Sequence, residues 1–429
     1  MSGYHDPVLL CITVTAFSVV NFLLEIGKTI GIRSLTFMIA TVQWVLGPFL
    51  SYSLLDPFDY YYMPVPQDVY FALAIPGVLL FALGLYSIND KYVNEAQLIA
   101  KLKTYLNEKH SVGLYLIFTG FLFSYLGPLF PGSLAFFFYL LSSLKYVGAF
   151  YVLLSNNNGK YLYFAGVFFF LFLDAFTSSM FHELLLWLAF TFLLLALNLK
   201  LKLFTKFSLL CLGFVFVFAV QAIKGDYRSA IWGGEVTEQV SKVDLLESSF
   251  ETRIASEGLF NERNIHNFIY RINQGWIVGH VMAYTPKYQD HARGETIMEG
   301  VVATLLPRFL APDKVTSGGA EYFEKYSGLI LVEGTSMDLS PIGEAYANFA
   351  TMGGATFMFF LGLLYAAVLS LVSKLSFTTP TLILWIPLLF QQAIKAESDI
   401  TTGINHVTKA AVVIYLVYWV AKNIFKVKL

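Results

Sequence analysis

Apolar residues run along this chain in long blocks, without the short alternations of a soluble sheet or the narrow stripe of a soluble helix. Eleven such blocks, at approximately 8–25, 35–54, 68–87, 112–130, 134–154, 161–176, 180–198, 207–223, 345–372, 379–396 and 407–424, come near the roughly 20 residues that a helix needs to cross a bilayer. The pattern predicts an all-α integral membrane protein with about 11 transmembrane helices. One long polar stretch, 224–344, interrupts it. The chain therefore divides into an N-terminal bundle of about eight helices (1–223), a large loop containing amphipathic helices (224–344) and a C-terminal bundle of about three (345–429). The first block, Val8 to Leu24, lacks a basic leader and a small-residue cleavage pattern, so it reads as a retained span.

Composition agrees: 57% of residues are hydrophobic and 13% charged, against about 25% charged in an average soluble domain. Mean hydropathy is +0.63. A net charge of -1 argues against a nucleic-acid partner. Cys11 and Cys211 both lie in apolar runs and offer no disulfide framework or metal-ligand spacing. Lys28, Arg33, Lys91, Lys101, Lys103, Lys109, Lys160, Lys200, Lys202, Lys206, Lys374, Lys422, Lys426 and Lys428 all fall on one side of the predicted spans. The opposite short loops, 55–67, 131–133 and 177–179, carry no Lys or Arg. The positive-inside rule then puts the N-terminus outside, the C-terminus in the cytoplasm and the 224–344 stretch outside. A segment facing that way has no access to ATP or nucleotide sugars, so any donor there is already activated.

The outer stretch holds 11 of the 28 Lys and Arg residues and 17 of the 29 Asp and Glu residues, and any active site is expected in it. Gln221, Lys224 and Arg228 recur at i, i+3 and i+7, on one helical face where the eighth span leaves the membrane. That spacing suits a clamp for a phosphate or pyrophosphate headgroup, and equally an interfacial anchor. Residues 262–284 predict one amphipathic helix ended by Thr285-Pro286, with Arg271 and Gln274 sharing a face and His280 opposite. A surface salt bridge for Arg271 and a packing role for His280 are the bland alternatives. A second interface helix is predicted over Thr296–Leu306 from the stripe Ile297, Met298, Val301, Val302, Leu305 and Leu306, broken by Pro307-Arg308. Arg308 suits the negative end of that helix as well as it suits a ligand. Ser340 and Pro341 predict a capped helix start, with Glu344 in the first turn as general base or as cap, and Asn348 one turn deeper. Gly353 and Gly354 predict close approach of another helix. Within the spans, Lys145 is a mid-helix cation with no evident partner, while Asp174 and Glu183 lie near outer helix ends.

Gln-Ala-Ile-Lys-Gly-Asp-Tyr-Arg (221–228), Arg271-Ile-Asn-Gln274 with Thr285-Pro286, Leu306-Pro307-Arg308 with Pro312-Asp313-Lys314, and Gly343-Glu344-Ala-Tyr346-Ala-Asn348-Phe349 together resemble the O-antigen polymerase (Wzy-type) family. The resemblance covers about residues 215 to 365. It implies a fold similar to class C glycosyltransferases and a bacterial inner-membrane enzyme whose outer loop is periplasmic. The implied reaction joins undecaprenyl-pyrophosphate-linked oligosaccharide units into a surface polysaccharide. A chain-length regulator and a flippase are the implied partners, and no cofactor or metal is implied.

The residue types fit that chemistry. Breaking a glycosyl pyrophosphate bond develops negative charge on the leaving group, so charge stabilisation outweighs proton donation. Arg228, Arg271 and Arg308, with Lys224 and Lys314, can supply it. Glu344 is the first choice of base and His280 the second, and Gln274 and Tyr346 are expected to contact substrate. Asp56 and Asp59, beside Tyr60, Tyr61 and Tyr62, form either an acidic metal pair or the acids of an aromatic belt. An O-antigen ligase would share the architecture. A flippase of lipid-linked sugars would need polar residues across many spans, and apart from Lys145 the first eight have almost no charge at mid-depth.

Overall fold

The computed structural model describes residues 7–88, 95–107, 110–178, 180–197, 199, 201–232, 258–305, 320–332 and 335–429; for 95–96, 110, 225–232 and 305 it describes the backbone alone. Among these residues every regular element is a helix. In chain order they are α1 (Pro7–Glu25), α2 (Ile32–Thr41), α3 (Gly47–Leu54), α4 (Gln67–Tyr86), α5 (Glu95–Asn107), α6 (His110–Leu126), α7 (Ala135–Ser142), α8 (Leu144–Leu154), α9 (Lys160–Ser178) and α10 (His182–Ala196). There follow α11 (Leu203–Trp232), α12 (Glu262–Ile272), α13 (Gly275–Tyr284), α14 (Glu295–Leu305), α15 (Ala320–Ser327), α16 (Pro341–Leu375), α17 (Ile386–Phe390) and α18 (Ile400–Asn423). A five-residue π turn, Val42–Leu46, joins α2 to α3.

Nine helical segments among the described residues are long and apolar enough to cross a membrane. They fall on nine of the eleven blocks. The other two hold shorter apolar helices, α10 and the run Pro380–Phe390. The block at 379–396 differs most from expectation: its helix stops at Phe390, and residues 391–399 form a turn segment instead of the last part of a span. Gln391, Gln392, Lys395, Glu397, Ser398 and Asp399 are too many polar groups for a lipid-facing helix, so the backbone leaves the helix and is buried in protein.

The spans pack by glycine-mediated contact, since lipid offers no hydrophobic drive between helices. α4 and α16 cross most tightly, where a Cβ on Gly84 would overlap Phe359 O and one on Gly362 would overlap Phe81 O. α16 is interrupted at Ala350 (φ 57, ψ -166), so Pro341–Phe349 forms a separate buried arm folded against the long span. Gly353 and Gly354 accommodate this arm: a Cβ on Gly354 would lie 3.0 Å from Tyr346 N and one on Gly353 2.7 Å from Phe349 Cβ. The neighbour expected there was another helix, and it is the chain's own preceding segment.

The described parts of the polar stretch share the bundle's core. Trp276, Val278, Val281, Phe323, Tyr326 and Leu339 belong to the same hydrophobic cluster as Trp44, Phe81 and Ile342. The helix expected over 262–284 is two helices, because the chain turns at Asn273 and Gln274 and Asn273 Oδ1 accepts from Trp276 N (3.1 Å) to start α13. α12 lays Phe268 and Ile272 against Phe218 of α11. α14 buries Thr296, Gly300, Ala303 and Thr304, and turns Met298 and Val302 of the expected apolar stripe outward. Its small-residue face explains the difference: Gly300 sits directly on Thr401 at the start of α18, closer than any side chain would allow.

Candidate functional site

The joint between α12 and α13 places Arg271, and local backbone chemistry fixes the joint. Gly47 N reaches back five residues to Val42 O, and Pro48 has no N–H, so neither serves the carbonyls of Gln43 and Trp44. Gln274 N donates to Gln43 O (3.2 Å) and Tyr70 OH to Trp44 O (2.9 Å). Gly47 and Gly275 permit the contact, since a Cβ on the first would overlap Ile272 O and one on the second would meet Pro48 and Tyr70. Gln274 is buried in this joint, and Arg271, one turn earlier, is left half-buried at its edge.

Arg271 Nη2 pairs with Glu397 Oε2 at 2.7 Å. The bland expectation for Arg271, a salt bridge, therefore holds, but its partner belongs to the turn segment 391–399 rather than to the surface. That segment brings further polar groups. Lys395 is half-buried, and burial pushes its ammonium below the ordinary lysine range against the opposing pull of Glu397 and Glu183. Gln391 Nε2 donates to Glu183 Oε1 (3.4 Å) at the N-terminus of α10. His182 beside it lies within electrostatic reach of Lys395, Glu397, Arg271 and Lys224. Cations from α11, α12 and the turn segment thus converge on one end of the bundle.

The segment is held at both ends. Trp44 Nε1 donates to Ser340 Oγ (2.8 Å) and to Ala396 O (3.1 Å), and Ser340 Oγ itself donates to Ala396 O (2.7 Å). Ser340 was expected to cap α16; at φ 66 it makes no side-chain cap, because its hydroxyl is committed to this knot. On the other side Asp399 caps α18 through Thr402 N, and Asp399 N donates to Asp338 Oδ2 (3.3 Å). Burial, followed by the charge of Asp399, pushes the Asp338 carboxyl up to about 7.

Glu344 is buried, with Oε1 accepting from Thr296 Oγ1 (3.0 Å) and Oε2 from Ile400 N (2.8 Å). It takes the capping half of its two expected roles, at the positive end of α18 rather than of its own helix. Asn348 completes the joint, donating from Nδ2 to Thr296 Oγ1 and Glu344 O (both 2.8 Å) while Oδ1 accepts from Gly294 N (2.9 Å).

Tyr346, expected at the substrate, is buried and donates its hydroxyl to Thr285 O (3.2 Å). His280 packs on Trp276 with ring centroids 4.7 Å apart, and burial lowers its basicity. Trp276 joins Tyr60, Tyr61 and Tyr270 in an aromatic cluster. Asp56 Oδ1 and Asp59 Oδ1 each accept from the backbone N–H two residues on (2.8 Å), as turn acids do, and Asp59 Oδ2 accepts from Tyr270 OH (2.5 Å). An open groove of about 670 Å³ beside Tyr270 is lined by Asn261, Glu262, Arg263, His266 and Asn267. Lys224 is half-buried at the end of its span, on a helix that continues to Trp232 as the i, i+3, i+7 spacing requires. Of Arg228 only the backbone is described, and Arg308 and Lys314 lie outside the described residues.

Lys145 has a partner after all: Nζ donates to Ser124 Oγ (2.9 Å) and sits 5.5 Å from the Phe121 ring centroid, with Asp174 and Glu183 in electrostatic reach. Sequence reasoning missed Lys395, Glu397 and Asp399. Their signal was the six polar residues within the nine positions 391–399, at and just past the end of a supposed span. No protein-family model, curated protein or solved structure matches the chain. The arrangement in hand is a partly buried, mixed-charge cluster in which Arg271, Lys224 and Lys395 stand among carboxylates, and its guanidinium and ammonium groups are of the kind that hold a polyanionic headgroup.

Proposed function

We propose that the protein is a glycosyltransferase that joins undecaprenyl-pyrophosphate-linked oligosaccharide units into a surface polysaccharide at the outer face of a bacterial inner membrane. The observation that carries this reading is the convergence of Arg271, Lys224 and Lys395 on one end of an apolar bundle. A pyrophosphate carried on a lipid tail would lie there with its headgroup among cations and its tail along the spans. In this reading Lys224 and Arg271, with Arg228 and Arg308 from the same stretch, hold the pyrophosphate and stabilise its charge as the glycosyl bond breaks. The groove beside Tyr270 offers amide, imidazole, carboxylate and phenol groups of the kind that bind sugar hydroxyls.

The reaction needs no external energy source, since the donor is already activated. Purified protein given only the lipid-linked oligosaccharide, with chelator present, is expected to produce ladders of increasing glycan length. Arg271→Ala is expected to abolish them while leaving the protein folded and inserted. Lipid binding without a ladder would instead favour a ligase awaiting another acceptor or a transporter, and a full ladder from Arg271→Ala would remove the clamp.

A further inference from the structure

The proposed reaction needs a group to take the proton of the attacking hydroxyl, and the described carboxylates around Arg271 differ sharply in their freedom to do so. Glu344 is buried with both oxygens accepting hydrogen bonds. Asp399 is the cap of α18, and Asp338 accepts from the Asp399 backbone. Glu183 accepts from Gln391. Glu397 differs: its side chain is 26% exposed, and its Oε2 is bound to Arg271 Nη2, whose own side chain is 39% exposed.

Resting on the polymerase reading above, we propose that Glu397 is a displaceable counter-ion of Arg271 and the base of the transfer step: an incoming diphosphate takes the guanidinium, and the freed carboxylate receives the proton of the acceptor hydroxyl.

The exchange follows from charge and geometry. A guanidinium carries five donors in a planar fork, more than one carboxylate can occupy, and a diphosphate offers more acceptor oxygens and more charge than Glu397 does. Once displaced, Glu397 has a carboxylate oxygen released to accept a hydrogen bond from the acceptor hydroxyl. It stays in place because its backbone is pinned on either side, by Ala396 O to Trp44 and Ser340 and by the Asp399 cap to α18. In the step itself the acceptor oxygen forms a bond to the anomeric carbon. The bond from that carbon to the phosphate oxygen breaks, its electron pair leaves with the undecaprenyl pyrophosphate, and the hydroxyl proton passes to Glu397.

The test uses the full chain in lipid nanodiscs. Binding of undecaprenyl pyrophosphate without sugar and transfer from the lipid-linked oligosaccharide are measured for the wild type, Glu397→Gln, Glu397→Asp and Arg271→Ala. Removing the competing carboxylate is expected to tighten binding in Glu397→Gln by roughly two- to fivefold, as suits a half-exposed ion pair, while Arg271→Ala weakens it. Transfer by Glu397→Gln is expected to fall on the order of 10²- to 10⁴-fold, with partial recovery in Glu397→Asp, which keeps a carboxylate. Unchanged binding and full transfer in Glu397→Gln would overturn the proposal, and tighter binding with full transfer would overturn the base. If Glu397→Gln binds more tightly yet even the wild type makes no glycan, the counter-ion exchange stands while the base and the polymerase reading both fall. Absence of wild-type binding would overturn exchange and clamp together.

Discussion

Glu344 shows how little a residue type says about its role before its partners are known. An acid in the first turn of a helix suits a base or a cap, and the two oxygens of Glu344 end on Thr296 and on the N-terminus of α18. Glu344→Gln keeps the shape but offers one acceptor where two donors point, so a cost of about 1–3 kcal/mol is expected, read as lower thermal stability in detergent. Asp338 makes a second prediction at this scale. Its carboxyl is held up to about 7 by burial and by Asp399, so the folded protein favours the protonated form. The resulting stability is fully present below the ordinary aspartate range and is lost as pH rises through about 7. Thermal stability measured from pH 5 to 9 is expected to fall between pH 5 and about 7 and to level off above that in the wild type, and to be flatter over the lower window in Asp338→Asn; parallel curves would count against it.

At the scale of elements, helices were legible and breaks were not. Apolar block length located the nine long helices, because crossing a bilayer requires a run of that length whatever the neighbours are. The break at Asn273 and Gln274, the arm before Ala350 and the turn segment 391–399 all depend on partners distant in sequence. Gln43 O receives Gln274 N, and Ala396 O receives Trp44 and Ser340. A local pattern carries no trace of such pairings. Arg271 was nonetheless legible as a candidate, since a cation on an outer helix suggests an anion wherever its partner lies. Its position depends on the contact made at Gly47 and Gly275, which yields a further prediction. Gly275→Ala pushes a methyl into Pro48 and Tyr70 and is expected to destabilise by about 1–3 kcal/mol and to weaken lipid binding. Gly166→Ala, with nothing within 4 Å of the added carbon, is expected to leave both intact. Equal effects in the two variants would remove this contact as the determinant of the position of Arg271.

For the whole molecule, α18 supplies a ruler. Its N-terminus meets Glu344 and Asp399, two residues past the Arg271 partner Glu397, and its last turn carries Lys422, with Lys426 and Lys428 just beyond. Twenty-four residues at about 1.5 Å each span roughly 36 Å, slightly more than the roughly 30 Å hydrocarbon core of a bilayer. The Arg271 cluster and this basic end therefore lie at opposite ends of a helix long enough to cross a bilayer. Tyr105 of α5, the helix of Lys101 and Lys103, donates to Leu429 O (3.2 Å), which puts that group at the basic end too. If this end is cytoplasmic, as the positive-inside rule expects, the Arg271 cluster faces outside, where only a preactivated donor reaches it. In a background with Cys11 and Cys211 replaced, Phe260→Cys, just before α12 in the polar stretch, and Phe425→Cys at the basic end both offer exposed positions. An impermeant thiol reagent is expected to label the first in right-side-out membranes and the second only after permeabilisation. The reverse pattern would place the cations in the cytoplasm, where nucleotide-linked donors are available, and the argument for a lipid-pyrophosphate substrate would lose its footing.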